Sequence, residues 1–388
     1  MAQAHQTGAQ EPSAPEAVRP RLAGGGHVAA LDGVRGIAII LVLLFHYGAN
    51  AAYFGFSGPL LKATGFGWLG VDLFFVLSGF LITGILWDAR EKARYFRNFY
   101  ARRALRIFPL YYLALAIVVA LSLLWPEAGV WGKESPLYIA FYATNFLIPV
   151  TGDQATGILS HFWSLAVEEH FYLFWPLVVF FLSRRNVMLA AIGMVLVAMI
   201  TRVVLAKSGN PVAAYMVTPA RMDALAIGAF FALAVRGPGG LQALVKPAWI
   251  LAALTAPALL ALVIHARETS ELSFEMQSLG YTVFSLLSGA GIIIGLTFRP
   301  LNGLLSLAPL RWFGKYSYGL YVWHPIVNVI LYYTSITTAI VGLIGPMNLY
   351  KGAFMIVLGF SITVCISLAS YHFYEKRFLE LKSRFAPG

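Results

Sequence analysis

Apolar runs of about 20 residues, the length a helix needs to cross the hydrocarbon of a bilayer, recur through this chain almost from end to end. Ten can be traced, at 30–50, 68–87, 107–125, 160–182, 187–206, 212–235, 247–265, 276–297, 313–334 and 351–373. Only 12% of the 388 residues are charged and 59% are hydrophobic. Soluble domains carry about one-quarter charged residues, so a soluble globular fold is excluded. The expected class is an all-α integral membrane protein with about ten transmembrane helices. A further apolar segment, 137–150, is too short to span comfortably and is expected to be re-entrant or interfacial, its ends buried by protein. The single cysteine, Cys365, lies in an apolar run, which rules out disulfides and cysteine-based metal sites.

Charge is distributed unevenly between the loops. The connection after the second run carries Arg90, Lys92, Arg94, Arg97, Arg102, Arg103 and Arg106. Arg184, Arg185, Arg236, Lys246, Arg299, Arg311, Lys376, Arg377, Lys382 and Arg384 fall on the same side, against Lys62, Lys133, Lys207, Arg267 and Lys351 on the other. Basic residues are retained in cytoplasmic loops, so both termini are expected in the cytoplasm. That rule also accounts for the net charge of +11 without a nucleic-acid partner. Residues 1–29, rich in Ala, Pro, Gly and Gln and lacking an apolar signal core, read as a disordered cytoplasmic tail. The membrane domain is expected over 30–378 and a short cytoplasmic tail over 379–388.

Ionisable residues inside the apolar runs are expensive and mark function by default. They are Arg35, His46, Asp72, His161, Glu168, Glu169, His170, Arg202, Arg221, Asp223 and His324. Locking helices together by pairing is the competing role for each. Arg35 and His46 are eleven residues apart, which returns to nearly the same helix face after a rise of about 16 Å. Asp72 enters the second run near the outer end and is expected at the depth of His46, where a carboxylate could orient an imidazole base. Arg103 and Arg106, three apart, share a face and with Arg35 could hold phosphates bidentately, unless they serve only as membrane anchors. The aromatics Tyr53, Phe54, Phe56, Phe66, Trp68, Trp125 and Trp131 at the outer ends read first as an interfacial belt and second as sugar-stacking surfaces.

The segments LDGVRGIAIILVLLFHYG, GVDLFFVLSGFLIT, FYARRALRIFPLYYL, HFWSLAVEEHFYLFWP, RMDALAIGAF, YSYGLYVWHP and FYEKRF, in this order, resemble the membrane-bound acyltransferase family three. That family O-acylates sugars and other hydroxyl compounds. The resemblance covers about Leu31 to Phe378, with His170 standing where Gln is more usual. It implies a membrane acyltransferase domain, an acyl-CoA donor (acetyl-CoA foremost), no metal, a sugar or glycan acceptor, and the bacterial inner membrane as location. A macrolide or other small hydroxyl metabolite is the alternative acceptor. Since the chain ends shortly after the last apolar run, the stand-alone form of the family is expected.

Residues and resemblance combine into a site. Arg35, Arg103 and Arg106 are expected to bind the donor. His46, Asp72 and Glu168 are expected to be catalytic, with His46 either deprotonating the acceptor or carrying the acyl group. Trp163, Glu169, Arg221, Asp223 and His324 are expected to contact the acceptor or stabilise an oxyanion. A proton-coupled transporter using the same buried His and carboxylate set is the rival class.

Overall fold

The computed structural model describes residues 28–53, 63–126, 136–152, 157–266, 270–332 and 349–385. The expected N-terminal tail up to residue 27, Phe54, Phe56, Lys62, Trp131, Lys133, Arg267 and residues 386–388 lie outside them. The regular structure of the described residues is helical throughout. The long helices are α1 (Ala29–Tyr53), α2 (Leu69–Ala89) and α3 (Tyr95–Leu124). Two short helices follow, α4 (Pro136–Ala140) and α5 (Thr144–Thr151). A 3-10 turn, Gly157–Phe162, leads into α6 (Trp163–Phe181), and α7 (Arg184–Lys207) comes next. Beyond it lie α8 (Pro211–Met216), α9 (Thr218–Ala234), α10 (Val245–Ala266) and α11 (Tyr281–Thr297). The series ends with α12 (Arg299–Leu305), α13 (Ala308–Tyr332) and α14 (Leu349–Ser370).

Nine helices among the described residues are long and apolar enough to cross a membrane. The expected run at 313–334 is present as α13, 25 residues long, but Lys315, Ser317, His324, Pro325 and Asn328 interrupt its apolar stretch. The short segment at 137–150 does not span. It breaks at Tyr142, which takes a left-handed backbone with φ 57°. Side chains bond carbonyls near the break: the Tyr111 hydroxyl donates to Ile139 O at 2.6 Å, which also accepts from the Tyr142 N–H at 3.0 Å, and Tyr112 donates to Ala140 O at 3.1 Å. Away from water such groups must find partners within the protein, and two tyrosines of α3 supply them.

Local signals place the helix ends. Ser183 caps α7, its hydroxyl accepting from the Asn186 N–H, and α9 opens on a proline in its first turn. One end of the bundle is tied by Arg236, which forks onto Asp88 at 2.7 and 2.6 Å, joining the ends of α9 and α2. At the same end Arg90 reaches the Leu182 carbonyl after α6. These contacts set α2, α6 and α9 descending to the end from which α1 and α3 rise.

Helices α1 and α13 pack backbone to backbone, as α2 and α9 do at Gly79 and Gly228. A Cβ on Gly36 would meet the Leu310 carbonyl, and one on Gly314 would meet the Asp32 carbonyl. Only hydrogen at these positions lets the backbones touch, as in other small-residue membrane interfaces. Asp32 meets Gly314 near one end and His46 meets His324 near the other, so the two helices run parallel and lie side by side between these contacts.

Candidate active site

A cavity of about 180 Å³ opens inside the bundle between α1, α2, α3, α6 and α13. Its wall follows helical periodicity. From α6 come Ser164, Glu168 and Tyr172, each one turn beyond the last, and from α13 come Ser317, Tyr318 and Tyr321. Helix α2 adds Phe74, Phe75, Ser78, Ile82 and Ile85. Four residues per step is about 6 Å of rise, so the α6 residues sample the cavity over roughly 12 Å.

The near end of the cavity is cationic. Arg35, Arg103 and Arg106 line it, and all three also line an adjoining cavity of about 150 Å³ that adds Lys92, Arg102 and Lys382. Six cations and no carboxylate form that second chamber's charged lining. Arg35 keeps one nearby anion, Asp32, at 3.0 Å one turn before it. Lys382 comes from the 3-10 turn Leu381–Phe385, so the segment following α14 folds back to complete the mouth.

Midway, Glu168 receives hydrogen bonds from the Ser78 and Tyr172 hydroxyls, which are themselves 2.5 Å apart. Arg103 lies 5.6 Å from the centre of the Tyr172 ring. Glu169, on the neighbouring face of α6, is outside the cavity lining, and its Oε1 is buried without a hydrogen bond.

Ser164 and Tyr321 stand farthest from the mouth on their helices, and next to them three imidazoles meet. His46 and His324 have ring centroids 4.6 Å apart, and His161 lies 5.7 Å from His324. The Tyr321 ring packs against His161 at 5.4 Å and His324 at 5.8 Å. Backbone carbonyls decide two tautomers. Nδ1 of His46 faces Val42 O at 2.9 Å, and Nδ1 of His324 faces Tyr321 O at 2.8 Å. A carbonyl only accepts, so in the neutral rings Nδ1 carries the proton and Nε2 is left as the basic atom. The Nε2 of His324 is buried with no partner. Both nitrogens of His161 face only loosely placed carbonyls, of Ile158 and Val322, without an aligned hydrogen bond. His161 is one of the ionisable residues inside the apolar runs, but no spacing in the sequence joins residues 46, 161 and 324.

Asp72 is not brought to His46. Its Oδ1 accepts from Arg221 Nη2 at 2.7 Å, both side chains fully buried. The cause is register: a Cβ on Gly70 would meet Ala38 O and Leu41 of α1, so Asp72 lies past that level. At 1.5 Å per residue it is about 10 Å from the depth of His46, whose ring is oriented by Val42 O instead.

Arg221 is enclosed by aromatics, 4.0 Å from the Tyr281 ring centre, 5.3 Å from Tyr215 and 5.8 Å from Trp163. A second buried pair adjoins the first, Arg202 to Asp223 at 2.9 Å. Arg202 also donates to Gln277 O, Ala220 O and Thr282 Oγ1, and Thr282 donates to Asp223 Oδ2. Of the expected acceptor residues, Trp163, Arg221 and Asp223 therefore belong to an aromatic and ionic lock beside the cavity, and His324 to the imidazole cluster. His170 bonds Thr218, which also accepts from Asn145 of α5. Among the described residues no group of three His, Cys, Asp or Glu is arranged to hold a metal ion.

The chain is 32% identical over 381 residues to YrhL of Bacillus subtilis, provisionally named a peptidoglycan O-acetyltransferase, covering 90% of this chain and 54% of YrhL. It is 30% identical over 371 residues to the peptidoglycan O-acetyltransferase OatA of Listeria monocytogenes, covering 90% of this chain and 55% of OatA. The O-acetyltransferase OatA of Staphylococcus aureus is 28% identical over 319 residues, 78% of this chain and 51% of that protein. The chain thus spans about half the length of the curated relatives it matches. No solved structure matches it significantly. The family model described as an acyltransferase domain matches residues 28–372, nearly the whole membrane bundle, and this multi-pass helical protein belongs to that acyltransferase family.

Proposed function

We propose that this protein transfers an acetyl group from acetyl-CoA to a hydroxyl of a glycan, peptidoglycan foremost, at the bacterial inner membrane. One observation carries the reading: a single cavity runs from a cluster of arginines to Ser164 and Tyr321, whose ring packs against His161 and His324, with His46 beside His324. Support for the acceptor class comes from the names of the relatives, two of which specify peptidoglycan.

The donor's phosphates bind at the mouth, to Arg35, Arg103 and Arg106, which present forked donors suited to phosphate oxygens. The mouth faces the cytoplasm, where acyl-CoA is made, in keeping with the positive-inside rule. The pantetheine arm lies along α6, past Tyr172 and Glu168, whose hydrogen-bonding groups match its amides. The thioester stops near Ser164 and Tyr321. His46 Nε2 then removes the proton from the attacking hydroxyl, its orientation held by the Nδ1 bond to Val42 O. Asp72, Arg221, Arg202 and Asp223 keep α2, α7 and α9 in register as the cavity wall.

The test uses the full chain in lipid nanodiscs with radiolabelled acetyl-CoA and soluble peptidoglycan fragments. Label in the ester-linked product, absent with His46→Ala of equal monodispersity, is the expected result. Full activity in that variant would overturn the role of His46. Acceptor flux into proteoliposomes without acetyl-CoA would replace the enzyme with a transporter.

A further inference from the structure

Catalysis of acyl transfer needs more than a base. When a hydroxyl attacks a thioester, negative charge gathers on the carbonyl oxygen, and hydrogen-bond donors fixed in place for that charge are often the largest catalytic contribution. In the interior of a membrane protein, where bulk water does not reach, the donors must come from the chain.

Ser164 and Tyr321 occupy the required position. Both line the cavity at its end away from the arginines, and the Tyr321 ring touches two of the three imidazoles. Their hydrogen bonding is over-determined. The two hydroxyls are 2.5 Å apart, Tyr321 OH lies 3.0 Å from His161 O, and Ser164 Oγ lies 3.3 Å from the same carbonyl. Three contacts share two protons, so one contact is always unfilled. Each hydroxyl can turn its proton toward a new acceptor in the cavity by giving up one of these contacts. Tyr321 is itself fixed from behind, because its own carbonyl holds His324 Nδ1. The remaining cavity hydroxyls are engaged elsewhere. Tyr172 and Ser78, also 2.5 Å apart, already serve a carboxylate acceptor, Glu168, while Tyr318 donates to Ile107 O and Ser317 to Gly314 O.

The geometry points to Tyr321 and Ser164 as the oxyanion-binding pair of the acyl transfer, a step that rests on the acetyl-CoA reading above. The acceptor oxygen bonds to the thioester carbonyl carbon while its proton passes to His46 Nε2. The carbonyl π electrons move onto oxygen, where the Tyr321 and Ser164 O–H groups receive them. Collapse re-forms the carbonyl, breaks the carbon–sulfur bond, and the thiolate takes the proton back from His46. Ester and free CoA thiol leave, with His46 neutral again.

Tyr321→Phe and Ser164→Ala test this in nanodisc-reconstituted full chain, with acetyl-CoA and peptidoglycan fragments. Loss of an oxyanion donor lowers kcat about 100- to 1000-fold, and KM for acetyl-CoA stays within about twofold because the interaction forms only in the transition state. The double variant falls by less than the product of the two single effects, since the pair acts as a unit. Ser164→Ala removes one small hydroxyl and keeps the test alive if Tyr321→Phe does not fold. Unchanged kcat, or a raised KM at constant kcat, overturns the assignment. An inactive wild type that also fails to bind acetyl-CoA by calorimetry removes the donor reading and the oxyanion pair together; an active wild type with active variants removes the pair alone.

Discussion

Breaking the Asp72 to Arg221 contact separates a structural from a catalytic role for Asp72. The pair is 2.7 Å apart with side chains 1% and 0% exposed, so neither charge can turn to solvent when its partner is removed. Deleting one member of such a pair costs about 3–5 kcal/mol, whereas removing both charges together is close to neutral. Arg221→Met is the more damaging single change. It strands Asp72 close to Asp223 and also removes the guanidinium from the Tyr281 face at 4.0 Å, a contact worth about 2 kcal/mol when desolvated. Asp72→Asn leaves Arg221 in its aromatic cage with Asp223 nearby, so its cost falls at the lower end, about 3 kcal/mol. In Asp72→Asn/Arg221→Met both stranded charges are gone and about 2 kcal/mol of aromatic contact remains lost. The double variant is therefore more stable than Arg221→Met, with a coupling of several kcal/mol between the sites. The assay is thermal loss of the monodisperse detergent peak, read with acetyl transfer on the same samples. Stability and activity fall together in the single variants and recover together in the double. Additive losses would refute the pairing, and a stable but inactive Asp72→Asn not rescued by Arg221→Met would return Asp72 to the catalytic step.

Three further outcomes follow from the cavity and the helix contacts. His46→Ala abolishes transfer while acetyl-CoA binding by calorimetry persists, because the imidazole is remote from the mouth. Replacing Arg102 and Lys382 together by Gln raises KM for acetyl-CoA about tenfold or more with kcat little changed, as loss of charge-assisted hydrogen bonds of about 1.5–3 kcal/mol requires; equal KM in both proteins refutes phosphate binding in the second chamber. Gly36→Val drives a side chain into the Leu310 carbonyl. It lowers stability by about 1–3 kcal/mol or more in the same thermal assay, and an unchanged profile would mean that α1 and α13 do not touch there.

Much of the frame is legible because its signals are local. A continuous apolar run specifies a spanning helix, and a break such as Tyr142 in a short one shows why 137–150 cannot complete a crossing. The arginines of the mouth are equally readable, since Arg103 and Arg106 lie one turn apart and Arg35 begins its helix. The site's inner end is not local. His46, His161 and His324 meet because α1 and α13 run parallel in one register, set by glycines whose partners lie far along the chain. Asp72 and Arg221 are 149 residues apart. Helical spacing specifies the face of Asp72 but not its level, because α2 packs on α1 at Ala38 and Leu41, several residues before His46. His161 belongs to the same blind spot: an imidazole on a 3-10 turn carries no pattern that names its neighbours.

The glycine contacts of α1 and α13 have a consequence for redesign. With backbone against backbone at Gly36 and Gly314, the spacing of the two helices that carry His46 and His324 is set as by a machinist's gauge block. Attempts to widen the acceptor range have little room on these two helices. The adjustable surfaces are α2 and α6, whose cavity-facing side chains can be exchanged while the gauge stays closed.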